Sequence, residues 1–149
     1  MILFVHMLFG AAVGSSVNNI PLAIILALLS HYLLDFIPHI DYPLKDTDKK
    51  NFILMLPNIL KIALDFGSGI LLIFLFSKNH PIIYVCAIAA ILPDGFTVLN
   101  ALMPNKILKF HSKLHPEKVH YFKDKKISNF WRISSQVAVA VISVLILRY

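Results

Sequence analysis

Five apolar runs dominate this chain and leave few ways to fold it. They cover about residues 1–17, 20–37, 59–76, 81–103 and 130–147. A helix crosses a bilayer with roughly 17–25 mostly apolar residues, so each run is a candidate span, the first at the short end. The chain has 149 residues, 58% of them hydrophobic and only 15% charged. A globule of that size keeps too much of its chain at the surface to hide so much apolar area from water. No strand-like alternation is sustained, and open sheets are excluded from lipid by their unpaired backbone groups. The expectation is an all-α fold: a polytopic membrane protein of about five transmembrane helices in one bundle, a single domain over 1–149.

The boundaries are local. Asn18-Asn19 closes the first run and Pro38 the second. Residues 51–57 read as an interfacial segment ahead of the third span. Two polar connections, about 41–50 and 104–129, are the long loops. The first run reads as a retained helix and not a cleaved signal peptide, because Met1 to Val5 carries no basic residue and no A-x-A site precedes Asn18.

Net charge is +6 with the seven histidines left neutral. The basic residues sit in short segments beside apolar runs, which points to lipid headgroups and away from nucleic acid. With five spans, every Lys and Arg except Lys78 and Arg148 falls on one side. The positive-inside rule then makes that side cytoplasmic, with the N-terminus there, in the plasma membrane. Cys86 lies within an apolar run and reads as a small buried hydrophobe, with no disulfide or CxxC motif around it.

Ionisable residues inside spans are costly, roughly 2.5–3.5 kcal/mol each on insertion scales, and are usually functional. Asp35, Asp65 and Asp94 fall in three different spans, His6 in a fourth, and His31 beside Asp35. His31 and Asp35 are four apart and share a helix face, as do His111 and His115. His39 and Asp41 continue the series past Pro38. On the topology above, all of these lie at the cytoplasmic membrane face, where a shared cation accounts for them better than isolated carboxylates. His6, Gly10 and Gly14 share one face, and Asp65 shares one with Gly69, so the polar positions coincide with small-residue packing seams. Pro93-Asp94-Gly95 predicts a broken fourth helix with carbonyls freed beside Asp94.

Each residue has a plainer reading when taken alone. His6 is then a packing histidine, Asp94 the cap of a half-helix, Asp41 a loop residue, and His80 and His120 loop histidines. The set His6, His31, Asp35, Asp65, Asp94, His111 and His115 reads instead as metal ligands, with His39 and Asp41 as candidate general acid or base. Mixed imidazole and carboxylate donors suit Zn, or Mn or Fe, at one or two divalent ions per chain. Two ions would clamp a phosphate ester and activate water.

With those residues in view, the chain resembles the LexA-regulated, membrane-bound metal-dependent hydrolase family. The resemblance rests on His6 with Gly10, on the segment from Ser30-His31 through Asp35 to Pro38-His39-Ile40-Asp41, on Leu92-Pro93-Asp94, and on the His111/His115 pair. That family's Pro-Asp-x-Asp-His signature reads here as Pro38-His39-Ile40-Asp41 and Pro93-Asp94-Gly95. More distantly, the His-x-x-x-Asp and Pro-Asp motifs are similar to those of the zinc-dependent phospholipase C fold. The resemblance implies a small multi-span protein with metal-dependent hydrolytic activity. The expected function is a membrane-embedded metal-dependent hydrolase acting on a lipid phosphoester, its Lys-rich loop drawing anionic headgroups. A metal-ion carrier or channel, and a non-catalytic protein stapled by a structural metal, are the alternatives.

Overall fold

A computed structural model of the chain describes residues 2–40, 52–102, 105–108, 110 and 127–149. Five main helices follow in order: α1 (Leu3–Ser16), α2 (Ile20–Asp35), α3 (Phe52–Phe76), α4 (Pro81–Leu102) and α5 (Asn129–Arg148). The fold is all-helical, with no strand among the described residues.

The helix ends follow from the residues there. Asn19 caps α2, its side chain accepting from Leu22 N–H at 3.0 Å, and Pro21 sits in the first turn, where a missing N–H is harmless. Between α3 and α4 the chain turns at Asn79, whose φ of 55° lies in the left-handed region that asparagine tolerates. The Asn79 amide also donates to the Phe74 carbonyl at 3.3 Å, satisfying one of the last acceptors of α3.

α1 is the central helix. Val5, His6, Met7, Leu8, Gly10, Ala11, Ala12 and Gly14 are all buried, and α1 packs against each of the other four helices. A helix that is apolar all round is a buried one, and α1 has no charged residue. Its closest neighbour is α4: a methyl group added at Gly10 would lie 2.5 Å from Ala90 Cβ. Gly69 of α3 faces α1 in the same way, against the Met7 side chain. The seams predicted at Gly10, Gly14 and Gly69 are therefore real packing contacts.

The outside of the bundle is apolar too. Leu33, Leu64, Leu75, Val137 and Val141 are among the large hydrophobic side chains left exposed. Two helical stretches, Leu56–Phe76 and Asn129–Arg148, are long and apolar enough to cross a membrane. Only 11% and 17% of their apolar windows are buried, so neither is the core helix of a water-soluble domain. The other apolar helices are shorter than their sequence runs suggest. α1 has 14 residues and α2 has 16, about 21 and 24 Å long at roughly 1.5 Å per residue, against a hydrocarbon core of about 30 Å.

Two sequence expectations are corrected. Residues 52–57 belong to α3 itself, which begins at Phe52 and runs through Pro57, so they form no separate interfacial segment. α4 is not broken at Pro93-Asp94-Gly95 but continues from Pro81 to Leu102. Pro93 removes one N–H from the ladder and leaves the Ala89 carbonyl without its usual donor. The helix continues through that gap, and the next carbonyl, Ala90, also accepts from His31 across the bundle.

Candidate metal centre

The site is built where the N-terminal turns of α1 meet the C-terminal end of α2 and the second half of α4. Asp35, the last residue of α2, is its hub. Asp35 Oδ1 lies 3.1 Å from His6 Nε2, and Asp35 Oδ2 lies 3.1 Å from His31 Nε2 one turn earlier. Asp94 of α4 joins from the far side, its Oδ1 3.7 Å from His31 Nε2. The His6 and His31 rings stack with centroids 4.3 Å apart. His6, His31 and Asp94 each bring one ligand atom into a group no more than 4.8 Å across.

His39 enters after the helix has ended. α2 stops at Asp35, short of the Ile37 expected from the apolar run, because Pro38 disfavours helical backbone just before it. A tight turn follows, with Ile37 N–H on the Leu34 carbonyl at 3.0 Å. It brings His39 back toward the hub, its Nε2 3.9 Å from Asp35 Oδ1. His39, expected as an acid or base at the membrane edge, is buried among the ligand candidates.

The hydrogen atoms in this cluster are constrained by what surrounds it. A carbonyl only accepts, so His31 Nδ1–H donates to the Ala90 carbonyl at 2.8 Å, and His39 Nδ1–H donates to the Ile37 carbonyl at 2.6 Å. In the neutral rings both Nε2 atoms then carry lone pairs, and both lone pairs face carboxylate oxygen. That contact is repulsive between neutral imidazole and carboxylate, and either a shared metal ion or a second ring proton relieves it. Backbone carbonyls fixing Nδ1–H while Nε2 points into a cluster is the arrangement that metal-binding histidines adopt. His6 adds an orphan, since its buried Nδ1 has no hydrogen-bond partner among the described residues. Ligands about 2.0–2.2 Å from one tetrahedral ion stand roughly 3.3–3.6 Å apart, and the 3.1, 3.7 and 3.9 Å separations bracket that range.

Burial is uneven. The His6, His31 and Asp35 side chains are at most 1% exposed, whereas that of Asp94 is 38% exposed. The centre is closed on the α1 and α2 sides and open beside α4.

Asp65, also expected as a ligand, has a different visible partner. Its Oδ2 accepts from Phe4 N–H at 3.2 Å, in the first turn of α1, whose own flanking residue Ile2 provides no side-chain cap. A carboxylate from α3 thereby does the work of an N-cap for α1 and complements its dipole. We expect Asp65→Leu to lower stability by about 1–2 kcal/mol in detergent unfolding, while Asp65→Asn, which keeps an acceptor, stays close to wild type. Equal losses in both would rule out the capping role. Asp41, His111 and His115, the remaining candidates, lie outside the described residues.

Sequence reading missed a second layer. Three polar residues on one face of α5, namely Arg132, Ser135 and Gln136, meet the carbonyls of His39, Pro38 and Ile40 respectively. Main-chain carbonyls leave no side-chain pattern to pair with, so the one available clue was a glutamine inside an apolar span.

Fold and site together define a class: an all-helical protein with two helices fit to cross a membrane and a buried His/Asp group that could hold a metal ion. In comparison with known proteins, no family model, no curated protein and no solved structure matches the chain.

Proposed function

We propose that the protein is a membrane-embedded, metal-dependent hydrolase. His6, His31, His39, Asp35 and Asp94 hold a divalent ion, zinc in first place with manganese or iron as alternatives. The observation that carries this reading is the convergence of His31 and His39 Nε2 on Asp35, each ring fixed through Nδ1 on a backbone carbonyl. The five helices are the five spans, and the centre lies toward the cytoplasmic face of the plasma membrane on the positive-inside count.

A bound ion of this kind supplies Lewis acidity toward an ester oxygen and toward water. The chain's own residues do the rest. Asp35 balances the charge of the ion from the closed side. The Ala90 and Ile37 carbonyls hold the two imidazoles in the ligating tautomer. Asp94 marks the open side, where a substrate group can approach and where its carboxylate can accept a proton. An open side is what separates a catalytic centre from a structural one. The motif resemblance to the metal-dependent hydrolases supports the same assignment. The substrate class proposed is a lipid phosphoester, approached from the bilayer, with anionic headgroups gathered by the Lys-rich segments.

A carrier or channel fits less well. A cavity of about 570 Å³ does lie at the opposite end of the bundle, lined in part by Asn18, Lys78, His80 and Tyr149. Between it and the His/Asp cluster stand Met7, Leu8, Ala11, Ala12, Ile83 and Ala87, none more than 3% exposed. Such a dry layer offers an ion no polar path.

Metal analysis of detergent-purified protein, paired with phosphodiester and phospholipid hydrolysis in mixed micelles, tests the proposal. The expected result is at least one Zn, Mn or Fe per chain and a turnover that chelation abolishes and the metal restores. Bound metal without turnover on any phosphoester would favour the structural-metal reading. No metal after reconstitution with each ion would overturn the site itself.

A further inference from the structure

We propose that Gln136 and Ser135 of α5 are positioning residues that clamp the Pro38–Ile40 segment and thereby hold His39 at the metal centre. The inference rests on the metal reading above, and it assigns a role to residues that touch none of the ligand atoms.

Three observations carry it. First, His39 is held by no helix: α2 has ended at Asp35, and Pro38 precludes the regular ladder. The His39 Nδ1–H is tied to the Ile37 carbonyl within the same segment, so the ring goes where the backbone of that segment is held. Secondly, the carbonyls of residues 38, 39 and 40, in sequence, are each met by an α5 side chain. Gln136 Nε2 donates to the Ile40 carbonyl at 3.0 Å, Ser135 Oγ lies against the Pro38 carbonyl, and Arg132 reaches the His39 carbonyl at a longer 3.4 Å. Ser135 has one proton and also lies 3.0 Å from the Arg132 carbonyl of its own helix, so Gln136 is the stronger of the two. Thirdly, Gln136 is 5% exposed at the start of the apolar stretch 137–142 of α5. A buried amide in such a helix is a penalty unless it is fully used, and holding this segment uses it.

The consequence is a division of labour. His6, His31 and Asp35 are set by helix packing, whereas His39 depends on α5. Removing the clamp releases that one imidazole and leaves the others in place.

The experiment uses the full chain in detergent with cobalt(II) as probe, since its visible bands report ligand number and type. Gln136→Met keeps the volume and removes the donor. It should weaken cobalt affinity about 10-fold to 100-fold, the usual range for residues that orient a ligand. Its spectrum should match that of His39→Ala, and adding Gln136→Met to His39→Ala should change nothing more. Wild-type affinity and bands in Gln136→Met, or an equal further loss in the His39→Ala background, would overturn the proposal. A metal-free readout separates this from a failure of the metal reading: diethyl pyrocarbonate labelling resolved by peptide mass spectrometry. His39 should label at least tenfold faster in Gln136→Met than in wild type, with His6 and His31 still protected. Unchanged His39 labelling, or labelling of all three together, sinks the clamp whether or not cobalt binds.

Discussion

Asp35→Asn should abolish the stabilisation that metal gives this protein while leaving the metal-free fold intact. The wild-type carboxylate faces Nε2 of His6 and of His31 at 3.1 Å each, and Nε2 of His39 at 3.9 Å. With one proton each of His31 and His39 on backbone carbonyls, neutral rings in the metal-free wild type would set Nε2 lone pairs against the Asp35 carboxylate. An asparagine amide changes that. Its NH₂ can donate to His31 Nε2, and its oxygen can accept from His6 Nε2–H. The variant therefore loses the anionic ligand and gains a neutral, satisfied network. Ligand linkage gives the magnitude: a free metal concentration 100 to 1,000 times Kd stabilises the wild type by about 2.7–4.1 kcal/mol. Thermal melts with and without zinc should show that gain in the wild type and none in Asp35→Asn, and the metal-free variant should melt no lower than stripped wild type. The opposite pattern would count against a metal. If metal-free Asp35→Asn melts far below stripped wild type, the carboxylate is neutralising imidazolium, since breaking a buried pair from one side costs about 3–5 kcal/mol.

How much of this was legible in the sequence depends on whether the contact runs within one helix or between segments. His31 and Asp35 are four apart, and helical periodicity alone aims them together. Asp94 and His6 were legible for another reason: ionisable residues in apolar runs need partners, and an antiparallel helix order brings them to one end. The helix bodies came from the apolar runs, with ends within two residues except the start of α3, seven residues earlier than its run. What hid was everything mediated by backbone. The capping of α1 by Asp65 pairs a carboxylate with the N–H of Phe4, sixty-one residues away, and nothing about Phe4 announces it. α4 runs unbroken through Pro93, which the Pro-Asp-Gly pattern did not announce, and His31 meets the Ala90 carbonyl beside the gap in the ladder. His39 is an intermediate case. Its spacing from Asp35 suggests a shared face, yet α2 ends before reaching it, and the ring arrives by a turn and is kept there by α5. The sequence pattern was right about the neighbour and wrong about the route.

Gly10→Ala should damage both the fold and the metal centre, more than the same change at any other glycine of the seams. A methyl group at Gly10 would lie 2.5 Å from Ala90 Cβ and 2.7 Å from the Cys86 carbonyl oxygen. The second of these is backbone, so no rotamer change relieves it and α1 must move away from α4. Gly14 is next: its methyl would meet Cys86 Cβ at 2.8 Å and the Ile82 carbonyl at 3.2 Å. At Gly69 the three nearest atoms are all of the Met7 side chain, the closest its sulfur at 2.9 Å, near the far end of a flexible chain and not backbone. Overpacking costs typically 1–3 kcal/mol, against about 1 kcal/mol that alanine returns in helix propensity. The expected order of destabilisation is Gly10→Ala, then Gly14→Ala, with Gly69→Ala close to neutral. The metal centre sharpens the test. His6 stands one turn from Gly10 on α1, while His31 is tied to α4 through the Ala90 carbonyl, so parting the two helices pulls apart a stacked pair 4.3 Å between centroids. Zinc affinity should fall at least tenfold in Gly10→Ala and hold steady in Gly69→Ala, a loss of roughly 1.4 kcal/mol or more of binding free energy. Adding Ala90→Gly removes the Cβ clash but not the Cys86 carbonyl, so it should restore only part of either property. Full rescue would mean that the helices are spaced by side chains alone. No loss of zinc affinity in a destabilised Gly10→Ala protein would mean that the α1–α4 seam does not set the geometry of the site.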